Sequence, residues 1–302
     1  GQGVLGAGQM GRGIAQVAAA AGVEVVLCDA SLELAEKGKA QIAAILGKQA
    51  EKGKISQDEV NAQVGRITPA GAIADFSSVD IAVEAATENV DLKLQLFRAA
   101  DAALPKDAIL ASNTSSISIT RLAAATSRPS RVIGMHFMNP VPLMKLVEIV
   151  RGVQTDPSTF ETVRELSVRF GKTVIVSEDR PGFLVNRMLI PFLNEACFTL
   201  QEGVGSAEDI DAGARLGLNH PMGPLELADF IGLDTVLAIA EVLHRDIGDD
   251  KYRPASVLRQ TLRLGRSRIG LGITAALLIV AIFGRYVAPH GEAELVGDGL
   301  PF

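Results

Sequence analysis

Near its start the chain runs Val4-Leu-Gly-Ala-Gly-Gln-Met-Gly11, a short apolar stretch that leads into a glycine-rich turn. The mainly apolar residues that follow, up to Gly22, predict a helix, so the order is strand, tight turn and helix. Glycines in such a turn let the backbone approach a pyrophosphate, which the helix N-terminus then holds with its free N–H groups and dipole. The same spacing also fits a turn that serves only packing. The candidate cofactor contacts in this turn are Gly6, Ala7, Gly8, Gln9, Met10 and Gly11.

A second predicted strand, residues 23–29, ends in Asp29, eighteen positions after Gly11. Dinucleotide-binding units carry an acidic residue about 20 positions after the glycine turn, and its carboxylate accepts hydrogen bonds from the adenosine ribose. Ala30 and Ser31 follow directly, so no arginine stands ready for a 2′-phosphate. The unit therefore predicts that the cofactor is NAD and not NADP.

The pattern continues as α/β to about residue 180. Residues 32–52 predict a long helix, and the capping box Ser56-Gln-Asp-Glu59 opens another. Glu88 and Lys93 follow the carboxyl end of a predicted strand, where open α/β sheets bind ligands, although a solvated loop and helix start explains them equally well. Residues 1–180 are thus predicted to form an α/β Rossmann-type NAD-binding domain. Its further buried strands are predicted at 80–86, 108–112, 131–137 and 173–176.

The segment from Ser115 to Glu148 holds a candidate catalytic pair, His136 and Glu148. His136 lies near the end of one β-like run, 131–137, and Glu148 lies in a second, 144–150. The prolines between them cannot continue a strand, because they lack the N–H that a sheet ladder needs. If the runs pair antiparallel about Pro142, His136 and Glu148 fall opposite each other, with Cβ atoms roughly 5 Å apart. A carboxylate there would orient the imidazole as a general base; a structurally satisfied strand-end histidine is the alternative.

Composition narrows the class of protein. The net charge of −6 and the acidic pI of about 5.4 argue against a nucleic-acid partner, which would need a basic face. The two cysteines, Cys28 and Cys197, match no metal or redox spacing, so no metal site is predicted. They are most simply buried free thiols, which indicates a cytoplasmic protein.

After about residue 180 the character of the sequence changes. Residues 183 to about 246 carry helical periodicity without a convincing strand, which predicts a smaller all-α domain over 181–260. Asn186, near the start of its first helix, is a candidate for the substrate side, with a capping or surface asparagine as the alternative.

Several motifs in order resemble the short-chain L-3-hydroxyacyl-CoA dehydrogenases, and most closely their 3-hydroxybutyryl-CoA dehydrogenase branch. The resemblance covers about residues 1–260. The matching stretches are Gly6-Ala-Gly-Gln-Met-Gly-Arg-Gly13, Glu84-Ala-Ala-Thr-Glu-Asn89, Ser112-Asn-Thr-Ser-Ser116, Gly134-Met-His-Phe-Met-Asn-Pro140, Lys145-Leu-Val-Glu148, Pro181-Gly-Phe-Leu-Val-Asn-Arg187 and Pro221-Met-Gly-Pro224.

The resemblance implies reversible NAD-dependent oxidation of an (S)-3-hydroxyacyl-CoA to the 3-ketoacyl-CoA, in fatty acid metabolism. It places the general base on His136 and the orienting carboxylate on Glu148. The polarising hydroxyl falls on Ser115, and the amide that helps to hold the reacting oxygen falls on Asn186. It also implies a homodimer through the helical domain. Its NAD contacts, besides the glycine turn, are Asp29, Glu88, Lys93, Ser115 and Asn139.

Residues 261–302 depart from the family. Their apolar stretch 269–288 reaches the roughly 20 residues that a membrane-spanning helix needs. It resembles the first transmembrane segment of oligopeptide/dipeptide ABC-transporter permeases. Three interpretations are open: an accidental join of two reading frames, which we favour, a genuine membrane anchor, or an apolar C-terminal helix that packs on the enzyme or its partner subunit. Membrane contact is expected only if this segment is genuine.

Two alternatives to this function are also compatible with the sequence. One is a dehydrogenase of similar architecture that acts on another 3-hydroxy acid. The other is a catalytically dead Rossmann remnant fused to a membrane or transport segment.

Overall fold

The computed structural model describes residues 1–264. The possible transmembrane helix 269–288, and with it most of the 261–302 tail, lies outside the described residues. Within them the chain forms two compact units, one of residues Gly1–Val185 and one that begins at Asn186. No helix of the described part is long and apolar enough to cross a bilayer.

The first unit is built on one eight-stranded sheet. Its strands are β1 (Gln2–Leu5), β2 (Val25–Cys28), β3 (Ile67–Ala70), β4 (Ile81–Glu84), β5 (Ile109–Ser112), β6 (Val132–Phe137), β7 (Leu146–Arg151) and β8 (Thr173–Glu178). In space their order is β3-β2-β1-β4-β5-β6-β7-β8. Neighbours are parallel except β6 and β7, which are antiparallel. The chain builds outward from β1 in one direction and from β4 in the other, so their carboxyl ends flank the point where such sheets bind ligands.

Helices cover both faces of this sheet. Alternate strand residues point to opposite faces: Val4 joins an apolar cluster with Ile14 and Ile42, whereas Leu5 joins another with Phe97. The predicted capping box at the start of the third helix is confirmed. The helices of this unit are α1 (Gln9–Ala20), α2 (Leu32–Glu51), α3 (Gln57–Gly65), α4 (Val90–Ala103), α5 (Ile119–Ala123) and α6 (Pro157–Arg169), with short 3₁₀ turns at Ile73–Phe76 and Pro129–Arg131.

Helices and the turns that connect them make up the described residues of the second unit. Asn194 is buried inside it and bridges two backbone groups, donating to the Arg253 carbonyl at 2.9 Å and accepting from the Ala255 N–H at 2.8 Å. Together with the sheet unit, this confirms the predicted Rossmann-type α/β part followed by an all-α part. The helices are α7 (Val185–Gln201), α8 (Ala207–Gly217), α9 (Pro224–Ile231), α10 (Leu233–Ile247) and α11 (Ser256–Leu264), with a 3₁₀ turn at Asp250–Tyr252.

Candidate active site

The predicted pairing of His136 with Glu148 is confirmed. The two residues are direct partners in the antiparallel register of β6 and β7. The imidazole Nδ1 lies 3.1 Å from Oε2 of Glu148, which is hydrogen-bond distance. His136 is 7% exposed and Glu148 is fully buried. The imidazole therefore faces a carboxylate that water does not reach.

The second oxygen of Glu148 fixes the carboxylate in place. Oε1 accepts hydrogen bonds from the backbone N–H groups of Leu184, at 2.6 Å, and Val185, at 3.3 Å. Because an ionised carboxylate only accepts hydrogen bonds, the His136 nitrogen that faces it must carry a proton. In the neutral imidazole, Nε2 of His136 is then the nitrogen with a free lone pair, which is the arrangement of a general base.

Phe183 was not predicted as a site residue. Its ring meets the His136 ring edge-on, with 6.0 Å between the centroids. The backbone of Phe183 has a φ of 51° and that of the preceding Gly182 a φ of 77°, so a tight left-handed turn brings the ring to the histidine. A left-handed conformation is uncommon for an aromatic residue and is found at functional sites. The dipeptide Pro181-Gly182 signals a turn, but not the contact that it produces.

The glycine turn after β1 has the shape that a pyrophosphate needs. A Cβ on Gly11 would lie 1.7 Å from the Gly6 carbonyl oxygen, and Gly6 itself has a φ of 104°. By contrast, a Cβ on Gly8 would meet no described atom within 4 Å, so the turn leaves open space there. Within the described residues, no side chain caps the N-terminus of α1 and its first turn holds no acidic residue. The N–H groups of this helix end are available for an anion, as NAD requires.

Asp29 stands beside this turn, directly after β2. One carboxylate oxygen accepts from the Ala7 N–H at 2.6 Å and the other from the Ala30 N–H at 2.7 Å. Each oxygen keeps a lone pair for a ribose hydroxyl. Ser31 is the N-cap of α2, accepting from the Leu34 N–H at 3.3 Å. The surroundings of Asp29 therefore fit an unphosphorylated ribose.

The carboxylate of Glu88 clamps the loop that follows β5. It accepts hydrogen bonds from the N–H groups of Ser115 at 2.9 Å and Ser116 at 3.1 Å, and also from the hydroxyl of Thr114. Partial desolvation opposes the ionisation of Glu88, but the Lys93 charge and these hydrogen bonds outweigh it, so the pKa of Glu88 is lowered. Glu88 thereby holds the backbone that carries the Ser115 hydroxyl.

Beneath Glu88 lies a buried ion pair. Nζ of Lys93 is 2.6 Å from Oε1 of Glu84 and 3.4 Å from Oε2 of Glu88, while the Ser112 hydroxyl donates to Glu84 at 2.7 Å. Lys93 and Glu84 are each 1% exposed. Glu84 was not singled out from the sequence, where an acidic residue at a strand end gives no sign of its partner. The cofactor contact predicted for Lys93 stays a prediction.

The remaining predicted residues lie in three places. Gln9, at the start of α1, donates its side-chain amide to Oδ1 of Asn139 at 3.1 Å, which joins the glycine turn to the β6–β7 connection. Met10 packs against the core of the first unit. Asn186 is buried and is the second residue of α7, in the second unit.

The first unit thus gathers its predicted site residues along one edge of the sheet. The glycine turn, Asp29, Glu88 and Ser115 follow β1, β2, β4 and β5, and His136 lies next to the last residue of β6. No group of three or more His, Cys, Asp or Glu side chains within the described range could hold a metal ion. The edge therefore combines a dinucleotide cradle with an acid–base pair.

Comparison with family models agrees with this arrangement. Residues 2–180 match the model described as the 3-hydroxyacyl-CoA dehydrogenase NAD binding domain. Residues 182–270 match the model of the 3-hydroxyacyl-CoA dehydrogenase C-terminal domain. The two models together cover most of the chain, and the second ends at residue 270, ten residues beyond the end of the resemblance found in the sequence at about residue 260.

Individual proteins are similar over the same range. The chain is 52% identical to 3-hydroxybutyryl-CoA dehydrogenase of Bradyrhizobium diazoefficiens, covering 87% of this chain and 90% of the relative. It is 53% identical to a probable 3-hydroxybutyryl-CoA dehydrogenase of Deinococcus radiodurans, covering 87% and 94%. The crystal structure of (S)-3-hydroxybutyryl-CoA dehydrogenase from Ralstonia eutropha is 48% identical and superimposes with a TM-score of 0.85, covering 87% and 93%.

Proposed function

Because the chain belongs to the 3-hydroxyacyl-CoA dehydrogenase family, we propose that it catalyses the reversible NAD-dependent oxidation of (S)-3-hydroxybutyryl-CoA to acetoacetyl-CoA. The observation that carries this assignment is the His136–Glu148 pair on the sheet edge that also holds the dinucleotide cradle. The oxidation of an alcohol to a ketone needs a general base and a hydride acceptor side by side.

His136 moves the proton, and Glu148 stabilises the charge that His136 then carries. NAD, when bound, supplies the hydride acceptor for C3 of the substrate. Nε2 of His136 takes the proton of the C3 hydroxyl, and the Glu148 carboxylate stabilises the imidazolium that forms. Glu148 can do this without moving, since two backbone N–H groups already hold its other oxygen.

Ser115 is proposed to place the substrate hydroxyl for this transfer. Its backbone N–H donates to Glu88 at 2.9 Å and its hydroxyl donates to the same oxygen at 3.3 Å, so the hydroxyl stands on an ordered loop at the end of β5. A fixed donor near the reacting oxygen lets proton and hydride leave in one geometry. Asn186 is assigned to the reacting oxygen by its place in the motif Pro181–Arg187, and this assignment rests on the resemblance alone.

The other assignments are proposals of the same kind. Residues 1–180 bind NAD, through the contacts named above, and residues 181–260 serve the acyl-CoA substrate and a homodimer interface. Both cysteines are buried free thiols, and burial raises the pKa of Cys28 to about 11 and that of Cys197 to about 12. Two buried cysteines without a disulfide between them support a reducing, cytoplasmic setting.

The substrate class is tested with the purified full chain. We expect it to oxidise NADH with acetoacetyl-CoA. With free acetoacetate the rate should be at least about 100-fold lower, because the binding contacts to the CoA part are lost. The fall in NADH absorbance measures both rates. The full chain is used because α11 runs to Leu264 and a cut at residue 260 would divide it.

Each alternative predicts a different result of this assay. A dehydrogenase of another 3-hydroxy acid would reduce the free acid as fast as the thioester. A dead remnant would oxidise no NADH with either compound, although the described His136–Glu148 pair and glycine cradle are complete.

A further inference from the structure

The connection between β6 and β7 is held against the cofactor-binding helix. It runs from residue 138 to residue 145 and joins the strand of His136 to that of Glu148. Asn139 on this connection accepts a hydrogen bond from Gln9 of α1. Val141 lies so close to α1 that a Cβ added to Gly13 would be 2.7 Å from the Cβ of Val141. The connection therefore touches α1 at two successive turns.

The same connection is also held by Lys172, the residue before β8. Its Nζ donates to the carbonyl of Val141 at 2.5 Å and to that of Met144 at 2.8 Å. In addition, the Thr173 N–H donates to the Lys145 carbonyl at 2.7 Å. Lys172 is thus a cross-link between β8 and two points of the connection.

Burying this lysine has a cost that its contacts must offset. Lys172 is 7% exposed, and no described carboxylate forms an ion pair with it. Desolvation disfavours the charged form and lowers the pKa of Lys172. Buried charges are normally paired, and an apolar residue would fill the space without the cost of desolvation. The hydrogen bonds to the two carbonyls are therefore the reason for an ammonium group at this position.

We propose that Lys172 is a positioning residue for the reaction. By holding the Val141 and Met144 carbonyls, Lys172 keeps the connection in contact with α1. This contact determines the position of Asn139 beside the glycine turn. It also fixes where the His136 and Glu148 strands stand relative to the cofactor. This inference rests on the proposed roles of Asn139 and His136.

The test compares Lys172→Met with the wild-type full chain. NADH affinity is measured directly by the fluorescence of NADH on titration, and KM for NADH and kcat are measured with acetoacetyl-CoA. All measurements are made well below both melting temperatures. We expect Lys172→Met to weaken NADH binding and raise KM about tenfold, with a smaller fall in kcat. Lys172→Arg, which keeps several donors, should recover part of the affinity.

Lys145→Met is the matched control, since Lys145 is an exposed lysine on the same connection. It should bind NADH like the wild type. If Lys172→Met melts earlier but binds NADH with unchanged affinity and KM, then Lys172 is only a stabilising residue and the proposal is overturned.

Two further outcomes are covered by the design. If Lys172→Met does not fold, Lys172→Gln takes its place under the same criteria, because glutamine stays polar but lacks the ammonium that holds the two carbonyls. If the wild-type chain shows no acetoacetyl-CoA-dependent oxidation of NADH, the proposed function fails, whereas the NADH titrations still decide the role of Lys172.

Discussion

Glu148 uses both of its carboxylate oxygens, one toward the His136 ring and one toward the backbone before α7. A glutamine at this position could keep the shape, but it would present an NH₂ group to one of two donors. The imidazole would then lose its orienting acceptor, or the backbone N–H groups would lose theirs. Such a fully buried residue works only as the acceptor on both sides.

Glu88 makes the stability of the chain depend on pH. Its pKa is lowered in the fold from an ordinary value of 4.5, so the ionised form stabilises the fold above pH 4.5. That stabilisation is lost as the pH falls through the lower, folded value. We therefore expect Glu88→Gln to lower the melting temperature by a few degrees at pH 7, and the gap to the wild type to narrow as the pH falls below 4.5.

Thermal melts of both proteins from pH 7 to pH 3 check this expectation. Glu165→Gln, an exposed glutamate on α6, serves as the control and should stay within a degree or so of the wild type throughout. A Glu88→Gln gap that is the same at pH 7 and pH 3 would show that the charge of Glu88 does not carry the effect.

At the scale of elements, the sequence predicted most of the sheet because its strands are short apolar runs between turns. It missed β3, Ile67–Ala70, since Pro69 cannot donate to a ladder; β3 is an edge strand, where proline is tolerated. It also missed α11, which lies where the family motifs end. The pairing of β6 with β7 was predictable, because prolines fix the turn and because His136 and Glu148 are equally distant from Pro142 in the sequence.

Contacts between elements were less predictable than the elements themselves. The ion pair of Glu84 and Lys93 joins β4 to α4, and the cross-link from Lys172 reaches residues some thirty positions away. Neither follows from hydrophobic periodicity, which reports only on the face that a residue occupies. The left-handed turn at Phe183 likewise depends on what surrounds it.

The glycine turn separates two effects that substitutions can have. Gly11→Ala places a methyl group 1.7 Å from the Gly6 carbonyl, so we expect it to lower the melting temperature and abolish NADH binding. Gly8→Ala meets no described atom, so it should fold normally and yet weaken NADH binding at least tenfold, because its methyl group enters the cradle.

Melting temperature and NADH titration together distinguish the two glycine variants. Gly47→Ala in α2 is the control, since a Cβ there also meets no described atom and alanine favours a helix. It should bind NADH normally. Normal NADH affinity in Gly8→Ala would show that the glycine turn is not part of the cofactor site.

At the scale of the whole molecule, the chain is a family member over residues 2–270, and its sheet unit alone carries the cofactor cradle and the acid–base pair. The substrate and the general base could be predicted from the sequence because several motifs occur in the family order. The roles of residues in the helical unit follow from those motifs and from no contact described above.

His136→Gln tests whether His136 is the general base of a 3-hydroxyacyl-CoA dehydrogenase. Glutamine keeps hydrogen-bonding capacity but cannot take the proton, so turnover of acetoacetyl-CoA should fall by about 10²- to 10⁴-fold. NADH affinity, measured by fluorescence titration, should stay the same, and His244→Gln on α10 should behave as the wild type. Near-normal turnover in His136→Gln would show that His136 is not the general base.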